Sequence, residues 1–347
     1  MHDDVGDDYL WDRRGRPDPE VQRLEALLSP LGHAASATAP VTVQSPVAAS
    51  PARRRAVLPA ALAAALIAAV GLGWMVAAAV APRPAWDVSR LAGAPTIGSR
   101  AIAAAARLPV GEWLETGAAA RARVMVGRIG VVDLDPHSRL RLSNAEAGRY
   151  RLRLARGTLH ATIWAPPGQF AVDTPSSTAV DLGCAYTLTV ADDGAGVVTV
   201  TSGWVAFEWQ GRESFIPAGT LCATRPGIGP GTPHYAGASP AFQAALGALD
   251  FERLTGQQQT DAVSRILADA APADALTLWH LLPRVELHER DRLFDRLASF
   301  VPPPAGVTRE GIRSGRRDML DRWWDELGFG SMQFWRRWQQ GWRDTGG

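Results

Sequence analysis

The chain has 347 residues, with 36 Lys and Arg against 35 Asp and Glu, two cysteines, and a formal net charge of +1. A balance this close to neutral provides no global basic field, which argues against nucleic acid as a partner. No lysine occurs, and GxSxG, HExxH, paired CxxC and Walker loops are all missing, so nothing positive points to an enzyme or a cofactor.

Residues 1–55 form an N-terminal arm. Residues 1–17 are polar and acidic. Asp18 then offers an N-cap and Pro19 a first helical position for a short helix that breaks at Pro30, with Leu31 just past the break. Val21, Leu24 and Leu28 fall on one apolar stripe of that helix. A stripe this short cannot bury itself, which makes these three residues candidates for contact with a partner or a membrane. An Ala/Pro/Ser/Thr linker follows over 33–51.

The stretch 56–81 carries no charged side chain, and Arg53, Arg54 and Arg55 stand directly before it. As a helix it is about 39 Å long, more than the roughly 30 Å of a bilayer's hydrocarbon core. It is therefore expected to be a single transmembrane helix. The arginines are expected to hold residues 1–55 in the cytoplasm and to leave residues 83–347 outside the inner membrane. Its Ala/Gly-rich face would allow close helix–helix approach, and so a homodimer.

Residues 83–109 are expected to be a spacer, with a short helix over 101–107. From 110 to 225 the hydrophobic period changes to two, and about a dozen short strands separated by turn residues predict an all-β unit. Cys184 and Cys222 lie within it. An oxidising compartment would let them form a disulfide, and two unrelated buried thiols would look the same.

Within this unit stand Glu112-x-Leu114-x-Thr116-Gly117, Arg121–Val126, Val132-x-Leu134-x-Pro136-x-Ser138, Leu154-x-x-Gly157, Phe170-x-Val172-x-Thr174 and Val198-x-Val200-x-x-Gly203-x-Val205. Together they resemble the FecR domain. That domain is the external part of bacterial membrane regulators that work with iron-uptake receptors and extracytoplasmic-function sigma factors. The resemblance spans roughly residues 110–225, and the arm, linker and anchor ahead of it match the family layout. It implies a protein partner in the periplasm and a sigma factor in the cytoplasm. Two departures stand out. The arm is shorter than the multi-helix sigma-binding domain of the best-known members, and Gly183-Cys184-Ala185-Tyr186 replaces the usual Gly-Thr before a Phe. The alternative is an envelope protein that does not signal and whose periplasmic domains bind glycan, lipid or another protein.

Arg139 and Arg141 alternate with leucines, as do Arg151 and Arg153 behind Arg149, which suggests a basic strip on one face of neighbouring strands. The wet face of an ordinary sheet would show the same alternation. Asp133 and Asp135 share a strand face, with nothing else expected to converge on them. Residues 226–239 are expected to be a linker. Residues 240–347 return to a helical period and predict an all-α C-terminal domain in which His280 and His288 are partly exposed. In its last helix Trp335, Trp338 and Trp342 cluster on one side, fit either to grip a partner or membrane or to pack on their own domain. Trp323 and Trp324 lie just upstream.

Overall fold

A computed structural model describes residues 84–333, together with Arg23 and Arg336. The stripe of Val21, Leu24 and Leu28, the segment 56–81, and Trp335, Trp338 and Trp342 lie outside the described residues. Among the described residues no helix is long and apolar enough to cross a membrane.

The chain opens with β1 (Ala85–Ala92), β2 (Thr96–Ile97), β3 (Arg100–Ala101) and β4 (Ala105–Pro109). These strands replace the expected spacer and its short helix. Trp86, Val88, Ile97, Ile102 and Leu108 are all buried, and the pleat of β1 turns Trp86 and Val88 to the same side. Next come β5 (Trp113–Glu115), β6 (Arg121–Val126), β7 (Gly130–Leu134), β8 (Arg139–Asn144) and the long β9 (Tyr150–Ile163). They lead to β10 (Phe170–Asp173), β11 (Thr178–Asp181), β12 (Ala185–Val190) and β13 (Gly196–Ser202). The run ends with β14 (Trp204–Trp209), β15 (Arg212–Pro217) and β16 (Thr220–Arg225). The expected linker contains two further short strands, β17 (Gly229–Pro230) and β18 (His234–Tyr235), both paired with β16.

β9 joins two sheets. Its first half pairs with β8 and, in parallel, with β10, whereas its second half pairs with β7 and β12. One sheet therefore runs β4-β1-β6-β7-β9-β12-β13-β16, and the other β3-β2-β5-β8-β9-β10-β11-β14-β15. Arg156-Gly157 reads as a turn in the sequence but is a bend within one strand. Gly157 has φ +93°, and a Cβ there would collide with Ser138. Ser138 completes the corner, because its Oγ accepts from Thr158 N at 2.9 Å while its own N–H donates to Thr116 Oγ1 at 2.9 Å. Between the sheets the alternating apolar residues form one core. Leu140 faces Leu154 and Leu142 faces Leu152 in register, all fully buried, and each side chain contributes about 1.5–3 kcal/mol of transfer free energy.

Six α-helices lie between Pro240 and Glu326: α1 (Pro240–Phe251), α2 (Gln257–Asp269), α3 (Ala275–Leu281), α4 (Leu287–Phe300), α5 (Arg309–Arg313) and α6 (Arg317–Glu326). Ser239 caps α1 by accepting from Phe242 N, and Thr308 caps α5 by accepting from Gly311 N. The helices lie against the outer face of the second sheet. Val180, Ala206 and Phe215 are cross-strand partners on that face, and they share one core with Leu246, Val263, Leu276, Trp279 and Trp324.

Candidate interaction surfaces

The strand pairing of β5, β8, β9 and β10 places the predicted arginines on the outer face of the second sheet. Arg141 stands opposite both Trp113 and Arg153, and Arg153 opposite Asp173. Arg139 lies 3.2 Å from Glu115, with its guanidinium 4.2 Å over the Trp113 ring. Arg151 makes a two-pronged pair with Asp173 at 2.7 and 2.8 Å, which holds its guanidinium more firmly protonated than usual. Arg149 sits exposed in the β8–β9 turn, and Arg153 is exposed in its strand. The strip is therefore mixed in charge: Arg139 and Arg151 have acidic neighbours, and the cationic excess centres on Arg141, Arg149 and Arg153.

The outer face of the first sheet corrects one expectation. Groups do converge on Asp133 and Asp135. Arg123 pairs with Asp133 at 2.6 and 2.7 Å, and Asp135 accepts from Arg121 at 2.7 Å. His160 Nε2 is 2.8 Å from Asp135 Oδ2, and His160 Nδ1 is 2.9 Å from Thr187 Oγ1. Partial burial raises the Asp135 carboxyl, but His160 and Arg121 outweigh it and hold the group below the ordinary carboxylate range. Sequence spacing could not show this, because the contact depends on β7 and β9 being neighbours.

The disulfide option is not realised, since Cys184 and Cys222 are free and buried. In register Cys222 pairs with Val198 and Val198 with Leu188. Cys222 is thus two strands across and four residues along from Cys184, roughly 16 Å away at ordinary strand spacings, far outside disulfide reach. Cys184 instead donates through Sγ to Asp181 Oδ2, and Gly183 N donates to Asp181 Oδ1 at 2.7 Å. Burial pushes the Asp181 carboxyl up to about 7 despite these bonds.

His280 and Arg284, on α3 and just after it, form the joint between helices and sheet. His280 is fully buried, contrary to the partly exposed position expected for it. Its Nε2 accepts from Phe215 N at 3.1 Å, and its Nδ1 donates to Leu276 O at 2.9 Å. Burial keeps the ring neutral, with its pKa pushed down to about 3. Arg284 donates to Glu213 O at 2.6 Å, to Ser214 Oγ at 2.8 Å and to Thr232 Oγ1 at 2.8 Å. Buried Asp250 lies 3.5 Å from Arg284 and accepts from Arg212 at 2.7 Å. Beside this joint a cleft of about 330 Å³ is lined by Phe215, Trp279, Arg317, Asp321 and Arg336. Its arginines face acids: Arg317 and Arg336 reach Glu213 at 2.8 and 2.6 Å. Trp323 and Trp324 are fully buried and belong to the core, not to an exposed aromatic surface. Among the described residues no group of three or more His, Cys, Asp or Glu is arranged to hold a metal.

Two sheets over one core, the second covered by helices on its outer face, define a β-rich module. Residues 112–206 match the family described as FecR protein, and the chain carries a FecR domain there. The family's motif residues are corners of the fold: Thr116, Ser138 and Gly157 meet at the β9 bend, and Gly203 with φ +70° packs against Gly183 and Cys184. Two crystal structures of a candidate anti-sigma factor from Parabacteroides distasonis ATCC 8503 align with parts of the chain, each at 14% identity and a TM-score of 0.31. The first alignment covers 38% of this chain and 63% of that one, and the second 44% and 73%. This chain thus spans less than two thirds of the first. No curated protein matches it significantly.

Proposed function

We propose that the protein is a single-pass inner-membrane regulator whose periplasmic FecR-containing unit binds a protein partner and whose cytoplasmic arm acts on a regulator of the sigma-factor system. The observation that supports this most is the order of parts: Arg53–Arg55, the charge-free stretch 56–81, and then a FecR domain at 112–206. In this reading Val21, Leu24 and Leu28 form the contact stripe inside, and the face around Trp113, Arg141 and Arg153 is the first surface to test outside. One bitopic helix transmits a bend poorly, so the signal would change oligomeric state, helix position or proteolysis. Topology and partner are tested separately. A reporter active only in the periplasm, fused after residue 84, should be active. Capture with residues 1–55 should retain an extracytoplasmic-function sigma factor and lose it when Leu24 and Leu28 become aspartate. Retention of no such factor, together with unchanged transcription when the arm is deleted, would remove the signalling role.

A further inference from the structure

One end of the β unit is defined by where the described chain begins. Val110 N donates to Pro84 O at 2.9 Å, and Arg107 donates to Ala85 O at 2.8 Å. β1 and β6 are antiparallel with Val88 opposite Val124, so the β6–β7 turn at Gly127–Ile129 lies level with Pro84 and Ala85. Gly130 pairs with Ile163, and Trp164 N then donates to Ile129 O at 2.9 Å. The β8–β9 hairpin reaches the same end, because Tyr150 packs edge-on to Trp86 with centroids 5.6 Å apart. A Cβ on Gly127 would touch that same Tyr150.

Trp164 stands out on this end. It is 62% exposed, more than any other large hydrophobic residue among those described. Its indole N–H donates to Arg128 O at 3.3 Å, so the backbone already satisfies the one polar group and the ring presents an apolar body outward. Arg128, Arg149 and Pro166 are exposed at the same end.

We propose that this end rests on the bilayer, with Trp164 in the headgroup layer and Arg128 and Arg149 beside it. The inference rests on the reading of 56–81 as a membrane span. From Ala81 to Pro84 the chain can reach only about 10 Å, so the end carrying Trp164 is held close to the membrane surface. Tryptophan favours that layer because its ring is apolar on one side and polar on the other. Arginine stems cover apolar surface while the guanidinium stays wet. Arg107 lies 3.3 Å from Asp87, and Glu146 shares the β8–β9 turn with Arg149, whose N–H donates to its carbonyl at 3.0 Å, so this end carries acids beside its arginines and the contact does not require anionic lipid.

The test uses the full chain in phosphatidylcholine vesicles, with a fluorophore on Ala147→Cys in the β8–β9 hairpin or on Asp192→Cys at the opposite end. Cys184 and Cys222 are buried and remain unlabelled. A headgroup-borne quencher should quench the probe at 147 several-fold more than the probe at 192. Trp164→Glu should bring the two together without loss of flotation with the vesicles, while Trp164→Phe should not. Equal quenching at both positions, or no effect of Trp164→Glu in a chain that floats, overturns the docking alone. A chain that fails to float overturns the span and the docking with it.

Discussion

At the scale of single residues, Asp181 is the most consequential side chain of the β unit. It is buried beside Cys184, and Tyr186 nearby has a buried hydroxyl with no hydrogen-bond partner among the described residues. Its carboxyl is pushed up to about 7 from 3.8 by burial, so between these values the folded chain binds a proton that the unfolded chain releases. Stability from this group is therefore full at low pH and is lost as pH rises through about 7, the reverse of a salt-bridged aspartate. A shift of about three units corresponds to about 4 kcal/mol. Urea midpoints of Asp181→Asn should consequently lie above those of the parent at pH 8 and approach them, or fall below, near pH 4.5. Parallel pH profiles for the two proteins would show that the carboxyl is not buried as described. Nothing in the one-dimensional pattern announces this. Asp181 follows Ala179-Val180 like an ordinary strand end, and only the burial of the Gly183–Cys184 turn makes it unusual.

At the scale of elements, the edge of β15 is closed by side chains instead of a further strand. His280 takes the Phe215 N–H, and Arg284 feeds the Glu213 carbonyl, so two groups that would otherwise template another chain are satisfied. His280→Leu leaves a buried N–H unpaired and should cost about 1–3 kcal/mol. Arg284→Leu strands Asp250 with one arginine fewer and should cost about 3–5 kcal/mol. Both are read from denaturant midpoints, and a neutral Arg284→Leu would mean that the joint carries no stability. Elements were legible where local pattern and tertiary role agree. The alternating leucines of β8 and β9 and the helical period from Pro240 onward were both expected and found. β1 to β4 were not, because β2 and β3 have only two residues each, too few to show a period of two, and the pairing of β1 with β6 spans a long stretch of chain. The bend in β9 was hidden for a related reason: Arg156-Gly157 has turn chemistry, yet both of its flanks stay hydrogen-bonded in sheets.

At the scale of the molecule, the helices are a cover and not an appendage. The change of period near residue 240 predicts a separate C-terminal domain, because periodicity reports each helix's apolar face without saying what it meets. That face meets Val180, Leu182, Ala206 and Phe215 on the second sheet, through an aromatic cluster in which Phe215 lies 5.5 Å from Trp324 and Trp279 4.8 Å from Trp324. The described residues from Pro84 onward accordingly belong to one compact unit. Truncating the chain after residue 239 would uncover those strand residues and free the β15 edge at once, the combination that drives edge-to-edge association. The truncated chain should therefore bind a hydrophobic dye and elute as large species, while the full chain unfolds in one transition by tryptophan fluorescence and far-ultraviolet dichroism alike. Trp324→Ala, which removes the centre of the cluster at a cost of about 3–5 kcal/mol, should lower that single midpoint without splitting it. Two separated transitions in the parent, or a monomeric truncated chain with an unchanged midpoint, would restore the picture of independent domains.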